Sequence, residues 1–323
     1  MNAAFSPTLF DDIDQFRELI HQLGWEAEST QMSCGPNQIR FDSFAFPELF
    51  VAHHHVKQMM HDVFYVPPGH VVLAICRARL PAICCGMELP PTLLAILRPG
   101  RTYQVRLPAE WETYEFTISE ALIERTELFP RKFWAKTVRM EQALLPLVEP
   151  QYGQFIEMMD FWFRLFRIGN GMMTRADLIA EFYDRILQGL QKLIDAGLAA
   201  GPAESPRLTR RPDLVTRARD FMIPNLTLAI TADEIAQALG VSRRVLNYAF
   251  HSNLGMGPYQ YFLTEKLHAA RRKLKTCDAS VLEAASSFGF STPSRFARHY
   301  QRLFGELPSE TKKQSRSLRV NCS

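Results

Sequence analysis

No apolar run in this chain approaches the ~20 residues that a membrane-spanning helix needs; the longest, such as Val71–Cys76 and Leu93–Leu97, fall far short. The first ten residues contain no Lys or Arg and are interrupted by Pro7, so no secretory leader is expected and the cytoplasm is the expected location. Cysteine is sparse. Six residues (Cys34, Cys76, Cys84, Cys85, Cys277, Cys322) in 323 are too few for a disulfide scaffold. No CxxC pair occurs, and the adjacent Cys84 and Cys85 suit no tetrahedral chelation, so reduced thiols, mostly small core residues, are expected. Walker loop, dinucleotide fingerprint and Ser-His-Asp set are all missing. What remains is ordinary globular composition, 47% hydrophobic and 22% charged. At roughly 100–200 residues per domain, two domains are expected.

The net charge of +3 conceals an asymmetry. From Arg207 onward there are 19 Lys and Arg against 9 Asp and Glu, whereas residues 1–206 carry 18 against 25. A basic half beside an acidic one points to different partners for each, and to a polyanion for the basic half.

A first helix is expected over Asp11–Leu23, where Ile13, Phe16, Ile20 and Leu23 recur at helical spacing. From about Met32 to Ile123 short β-rich stretches follow: Ile39–Phe46, His61–Tyr65, Val71–Cys76, Leu93–Leu97, Thr102–Leu107 and Thr113–Ile118. Turn clusters at Pro67-Pro68-Gly69, Pro90-Pro91 and Pro99-Gly100 separate them, a texture of sandwich or barrel. Closure would hide the sheet edges and leave room inside for a small ligand. After Pro130 the pattern turns helical. Leu178, Phe182, Ile186, Leu190, Leu193 and Ile194 mark an amphipathic helix over about Arg175–Leu198, whose stripe packs on the barrel or pairs with a second subunit. Ala199–Pro206, reading AAGPAESP, is the best linker.

The basic half contains a repeat. Ala236-x-x-x-Gly240 recurs as Ala285-x-x-x-Gly289, Leu246 as Phe296, Phe250 as Tyr300, Gly255 as Gly305 and Pro258 as Pro308. The offset is 49 before the turn and 50 after it. A helix-turn-helix needs a small residue where its helices cross, then a sharp turn through positive φ, which glycine adopts without steric penalty. Ser242 then suits the cap of the next helix, as Ser291 or Thr292 does in the second copy, where Pro293 opens the helix. The segment Gln260–Lys275, with Leu263, Leu267, Ala270 and Leu274 on one face, suits a rigid strut between the copies. Its run Arg271, Arg272, Lys273, Lys275 reads as a solvated or phosphate-attracting face.

On these residues, the stretch 212–313 resembles the DNA-binding domain of AraC/XylS-type bacterial transcription regulators. The resemblance rests on Ile230 to Leu246 (ITADEIAQALGVSRRVL), Phe250, Gly255-Met-Gly-Pro-Tyr-Gln-Tyr261, Ala284-Ala285, Gly289-Phe290, Phe304 and Gly305-x-x-Pro308. Gly257 stands where the family usually has Ser or Thr, and Tyr300 where Phe is usual. The N-terminal half resembles the family's effector and dimerisation domain in outline, at Pro99-Gly100 and Leu107-Pro108.

The resemblance implies an α+β protein. Residues 1–200 would form an effector-binding and dimerisation domain, a cupin-like β-barrel (32–123) followed by a helical dimerisation segment (130–198). Residues 201–206 would be a linker and 207–323 an all-α DNA-binding domain with helix-turn-helix units at about 231–251 and 280–302. It implies a sequence-specific regulator, activation being the commoner sense, with double-stranded DNA, RNA polymerase, a small-molecule effector and a second copy as partners, and no cofactor or membrane. By matching position, Arg244, Asn247 and Tyr248 face bases from the first recognition helix, beside Ser242 and Arg243. Ser294, Arg295 and Arg298 do so from the second, with Thr292 at its start and Arg302 on a phosphate. Arg pairs bidentately with guanine and Asn with adenine, each worth roughly 1–3 kcal/mol of discrimination.

The alternative is a cupin-type metal enzyme with an accessory DNA-binding domain, suggested by His53-His54-His55, His61 and His70. Consecutive strand residues alternate faces, so only His53 and His55 would converge. The His-x-His, Glu and later His of cupin sites are not found in order.

Overall fold

The structure, a computed structural model, describes residues 4–137, 142–168, 175–201 and 207–320. The N-terminal half runs β1 (Ala4–Phe10), α1 (Ile13–Gln22), β2 (Ala27–Gln31), β3 (Ile39–Ala45), β4 (Leu49–Val56), β5 (Met60–Val66), β6 (His70–Arg77), β7 (Ala82–Cys84), β8 (Met87–Leu89), β9 (Leu93–Leu97), β10 (Arg101–Leu107) and β11 (Trp111–Ser119). Helices α2 (Glu120–Thr126) and α3 (Arg131–Thr137), strand β12 (Gln142–Pro146), and helices α4 (Gln151–Ile168) and α5 (Ala176–Ala200) complete it.

The expected closed barrel is not what forms. The strands make two antiparallel sheets, ordered β1-β3-β4-β11-β6-β9-β12 and β2-β5-β10-β7-β8. The physical reason lies in the connections. The chain changes sheet at most turns, so successive strands commonly face each other through side chains and no continuous hydrogen-bonded ladder closes. The sheets enclose a cavity between them, and α1 covers it with Phe16 and Ile20.

Both faces of the seven-stranded sheet are buried, which explains the unbroken apolar run Val71–Cys76. In β11, Trp111, Thr113 and Glu115 point to the cavity, while Tyr114, Phe116 and Ile118 join the outer core. There they meet Phe155, Met159, Trp162 and Phe163 of α4 and Phe182, Ile186, Leu190 and Ile194 of α5. The α5 stripe is therefore consumed within the chain. Any contact of α5 with a second copy would use another face.

The histidine run lies on β4. His54 points into the cavity, while His53 stacks on Tyr114 at 4.4 Å and bonds Glu112 at 2.7 Å on the opposite face. His55 lies 4.0 Å from Glu110. Among the described residues no group of three or more His, Cys, Asp or Glu is placed to hold a metal, and no helix is long and apolar enough to cross a membrane. Cys84 is buried, but Cys34 and Cys277 are exposed, so they are not the core residues expected. Cys322 and residues 202–206 of the expected linker lie outside the described residues, while Ala199 and Ala200, read as linker, form the end of α5.

Candidate nucleic-acid interface

The basic half is helical throughout: α6 (Pro212–Met222), α7 (Ala232–Ala238), α8 (Arg243–Leu254), α9 (Pro258–Thr276), α10 (Val281–Ser287), α11 (Pro293–Phe304) and α12 (Pro308–Val320). The pairs α7–α8 and α10–α11 repeat one geometry. Each opens on a reciprocal cap. The Thr231 amide donates to Glu234 Oε2 at 2.7 Å while the Glu234 amide donates to Thr231 Oγ1 at 3.3 Å. Ser280 and Glu283 repeat this at 2.6 and 3.1 Å. Each turn then closes on the same bonds, among them Val241 N–H to the Ala236 carbonyl at 3.0 Å and Phe290 N–H to the Ala285 carbonyl at 3.1 Å. Gly240 and Gly289 sit at φ +67° and +75°, a region costly for other residues. The sequence repeat is thus a repeat of backbone hydrogen bonds.

Leu246, Phe250, Phe296 and Tyr300 are fully buried, as their spacing requires. On α8 this leaves Ser242, Arg243, Arg244 and Tyr248 exposed and Asn247 half-buried. On α11 it leaves Thr292, Ser294, Arg295, Arg298 and Arg302 exposed. Ser242 caps α8 by accepting from the Val245 amide at 3.3 Å. Thr292 occupies the corresponding place on α11, but its side chain makes no capping bond, contrary to expectation. Pro293 has no N–H to satisfy there. Arg243 is held by Asp233 at 3.0 Å, whereas the Arg244 and Arg210 guanidinium groups lie 5.6 and 5.8 Å from the centre of the Tyr248 ring. Sequence reasoning passed over His299. Burial, then the charges of Arg295, Arg298 and Arg302 on the same helix, lower its pKa.

The helix-turn-helix domain family matches residues 235–314. The regulator ArgR of Pseudomonas aeruginosa is 37% identical over 102 residues, 32% of this chain and 31% of its own. The match thus spans about a third of that relative's length. The XylDLEGF operon transcriptional activator 2 of Pseudomonas putida is 31% identical over 137 residues, 42% of this chain and 85% of that protein. The chain belongs to the AraC/XylS family of transcriptional regulators. A solved AraC-type regulator from Chromobacterium violaceum is 32% identical, covering 32% of this chain and 92% of that one, with a TM-score of 0.31.

Within this AraC/XylS-family chain, α9 departs most from its sequence reading. Its basic run is not a solvated face. Arg271 is 5% exposed and reaches Asp12 and Asp14 at 3.3 Å each, as well as Glu306. Lys275 bonds Asp14 at 3.0 Å and also Asp12, and Lys273 donates to Ser287. Burial alone would raise the Asp12 carboxyl pKa, but Arg271 and Lys275 hold it below its ordinary value. Further along, Thr30 donates to Glu265 at 3.2 Å, and His268 meets the Gln31 carbonyl at 3.1 Å. A third face of α9 joins the two helical units. The Lys266 ammonium donates to the carbonyls of Leu228 at 2.6 Å, just before the first unit, and of Phe288 at 3.1 Å, in the turn of the second. The middle of the strut, residues 261–271, is thus buried on every side, with Arg271, Lys266, Glu265 and His268 each held by a partner.

Proposed function

We propose that this chain is an effector-responsive, sequence-specific transcription regulator that reads two adjacent major grooves, in the sense of an activator. The observation that carries this reading is the pair of capped units with identical turn bonds, held by α9 with their arginine-bearing faces left open. At 1.5 Å per residue the 19-residue α9 is about 28 Å long, suited to holding two helices in successive grooves about 34 Å apart. Arg244, Asn247, Tyr248, Ser294, Arg295 and Arg298 are assigned to bases. Ser242, Thr292 and Arg302 are assigned to the backbone, and Arg243 serves once released from Asp233. Residues 1–200 form the effector part, 201–206 the linker and 207–323 the DNA reader; RNA polymerase and a second copy are the partners.

Effector and DNA would be coupled through α1. Its Phe16 and Ile20 line the cavity, and its Asp12 and Asp14 hold Arg271 and Lys275 of the strut. A ligand that shifts α1 would change the grip on the reader.

Arg244→Ala and Arg298→Ala test the base assignment. Each is expected to weaken binding to a selected operator about tenfold or more, while binding to random DNA falls far less. Equal losses on both DNAs would place these residues on phosphates.

A further inference from the structure

The cavity between the two sheets, of about 140 Å³, is walled by hydrocarbon and aromatic side chains, Trp25, Phe41, Phe64 and Trp111 among them. A comparable apolar cavity holds one benzene ring. Yet an imidazole and two carboxyls face into this one: His54 from β4, Glu115 from β11 and Asp62 from β5 across the gap. The β4–β11 register pairs His54 with Thr113 and Ala52 with Glu115, so His54 and Glu115 are diagonal neighbours on one face, 3.8 Å apart. Several polar atoms of this wall lack a hydrogen bond, although Ser29 bonds Asp62. His54 Nε2, Asp62 Oδ1 and Trp111 Nε1 are all inaccessible and make no hydrogen bond. Trp111 is 5% exposed and His54 9%.

Such groups are costly unless something pairs with them. Burial raises the Asp62 and Glu115 pKa values to about 7, helped at Glu115 by Asp62, and lowers that of His54 to about 3. Near neutral pH the cluster thus carries a neutral imidazole and two carboxyls poised to lose protons. No Lys or Arg lines the cavity, so an anion would meet two carboxyls with no cationic side chain to offset its charge. The three side chains are not placed to hold a metal. A wholly apolar occupant would leave the His54 nitrogen and the Asp62 oxygen without a donor.

We propose that this cavity binds a small organic ammonium, a single ring or short alkyl chain with one protonated nitrogen. The nitrogen is held by Glu115 and Asp62 and the body by the aromatic wall. The proposal rests on the reading of the N-terminal half as the effector part and gives the chemical class of its ligand. Aromatic faces attract a cation as well as a hydrocarbon, so the same wall serves both ends of the molecule. A carboxylate–ammonium hydrogen bond in a dry site is among the stronger polar contacts available.

The test is calorimetric titration of the full chain at pH 7.5 with benzylamine, cyclohexylmethylamine and n-hexylamine, each beside its alcohol and its carboxylate. At least one amine should bind ten times more tightly than its alcohol, and no carboxylate should bind measurably. Glu115→Gln and Asp62→Asn should each lose at least tenfold in affinity for that amine while unfolding no earlier than the wild type. Amine and alcohol binding alike, a carboxylate binding best, no amine binding the folded chain, or full affinity in both variants would each overturn the proposal. Operator affinity with and without the saturating amine separates the two readings. Tight amine binding that leaves operator affinity unchanged would refute the effector role and leave the ligand class standing.

Discussion

Glu115, a half-buried carboxyl facing the cavity, illustrates what desolvation of one acid costs this fold. Its pKa rises from an ordinary 4.5 to about 7, through burial first and the nearby Asp62 second. Below pH 4.5 it is protonated whether the chain is folded or not, and no penalty arises. Between 4.5 and 7 the unfolded chain ionises first, so stability falls as pH rises, and above 7 the loss is complete. Glu115→Gln never ionises. It should therefore be more stable than the wild type by about 2–3 kcal/mol at pH 8, with little difference at pH 4. Thermal unfolding of both proteins across that range checks this; a pH-independent difference would mean that ionisation is not the cause. Some residue-scale features could be read from sequence. The crossing alanines, turn glycines and apolar pairs followed from spacing alone, and Thr231-x-x-Glu234 with Ser280-x-x-Glu283 offered a capping signal at the same offset of 49 that was not used. The cavity was beyond reach, since its lining gathers side chains from many strands scattered along the sequence.

Helix α5 meets its neighbours closely at two glycines. A Cβ at Gly189 would collide with the Phe155 ring of α4, and one at Gly197 would lie 2.8 Å from the Pro146 carbonyl oxygen. Gly189→Ala gains up to about 1 kcal/mol in helix propensity, but forces apart a packed core at roughly 1–3 kcal/mol. A net loss of about 1 kcal/mol is expected in chemical denaturation; a gain would show that α4 yields freely. Strands whose apolar residues alternate or run unbroken were recognised within a residue or two, as β6, β9 and β11 show. Others were missed for definite reasons. In β4 the alternation was applied to the three histidines alone, and the apolar residues 49–52 before them were not joined to the strand. In β1, Pro7 reads as a breaker, but β1 is an edge strand, where a missing N–H is tolerated. The α9 run looked solvated because its acidic partners, Asp12 and Asp14, lie at the other end of the chain.

For the molecule as a whole, the junction between its halves should respond to acid. His61 and His268 are buried there, against Tyr261 at 3.4 Å and the Gln31 carbonyl, and burial lowers their pKa values to about 3 and about 4. Both histidines are neutral when docked. As pH falls below 6.5 the undocked chain takes up protons first, so docking weakens progressively toward pH 4. Trp25, Trp111, Trp134 and Trp162 all lie in the N-terminal half, so tryptophan fluorescence reports that half alone and circular dichroism reports both. The two unfolding curves should coincide at pH 7.5 and separate at pH 5; coincidence at both would mean that the halves remain docked. The central claim is that two tethered helices read neighbouring grooves. Methylation interference on a selected operator, with the full chain and its Arg244→Ala and Arg298→Ala variants, tests it most directly. We predict two major-groove tracts about one helical turn apart, one lost in each variant. A single tract, or the same tract lost in both variants, would contradict it.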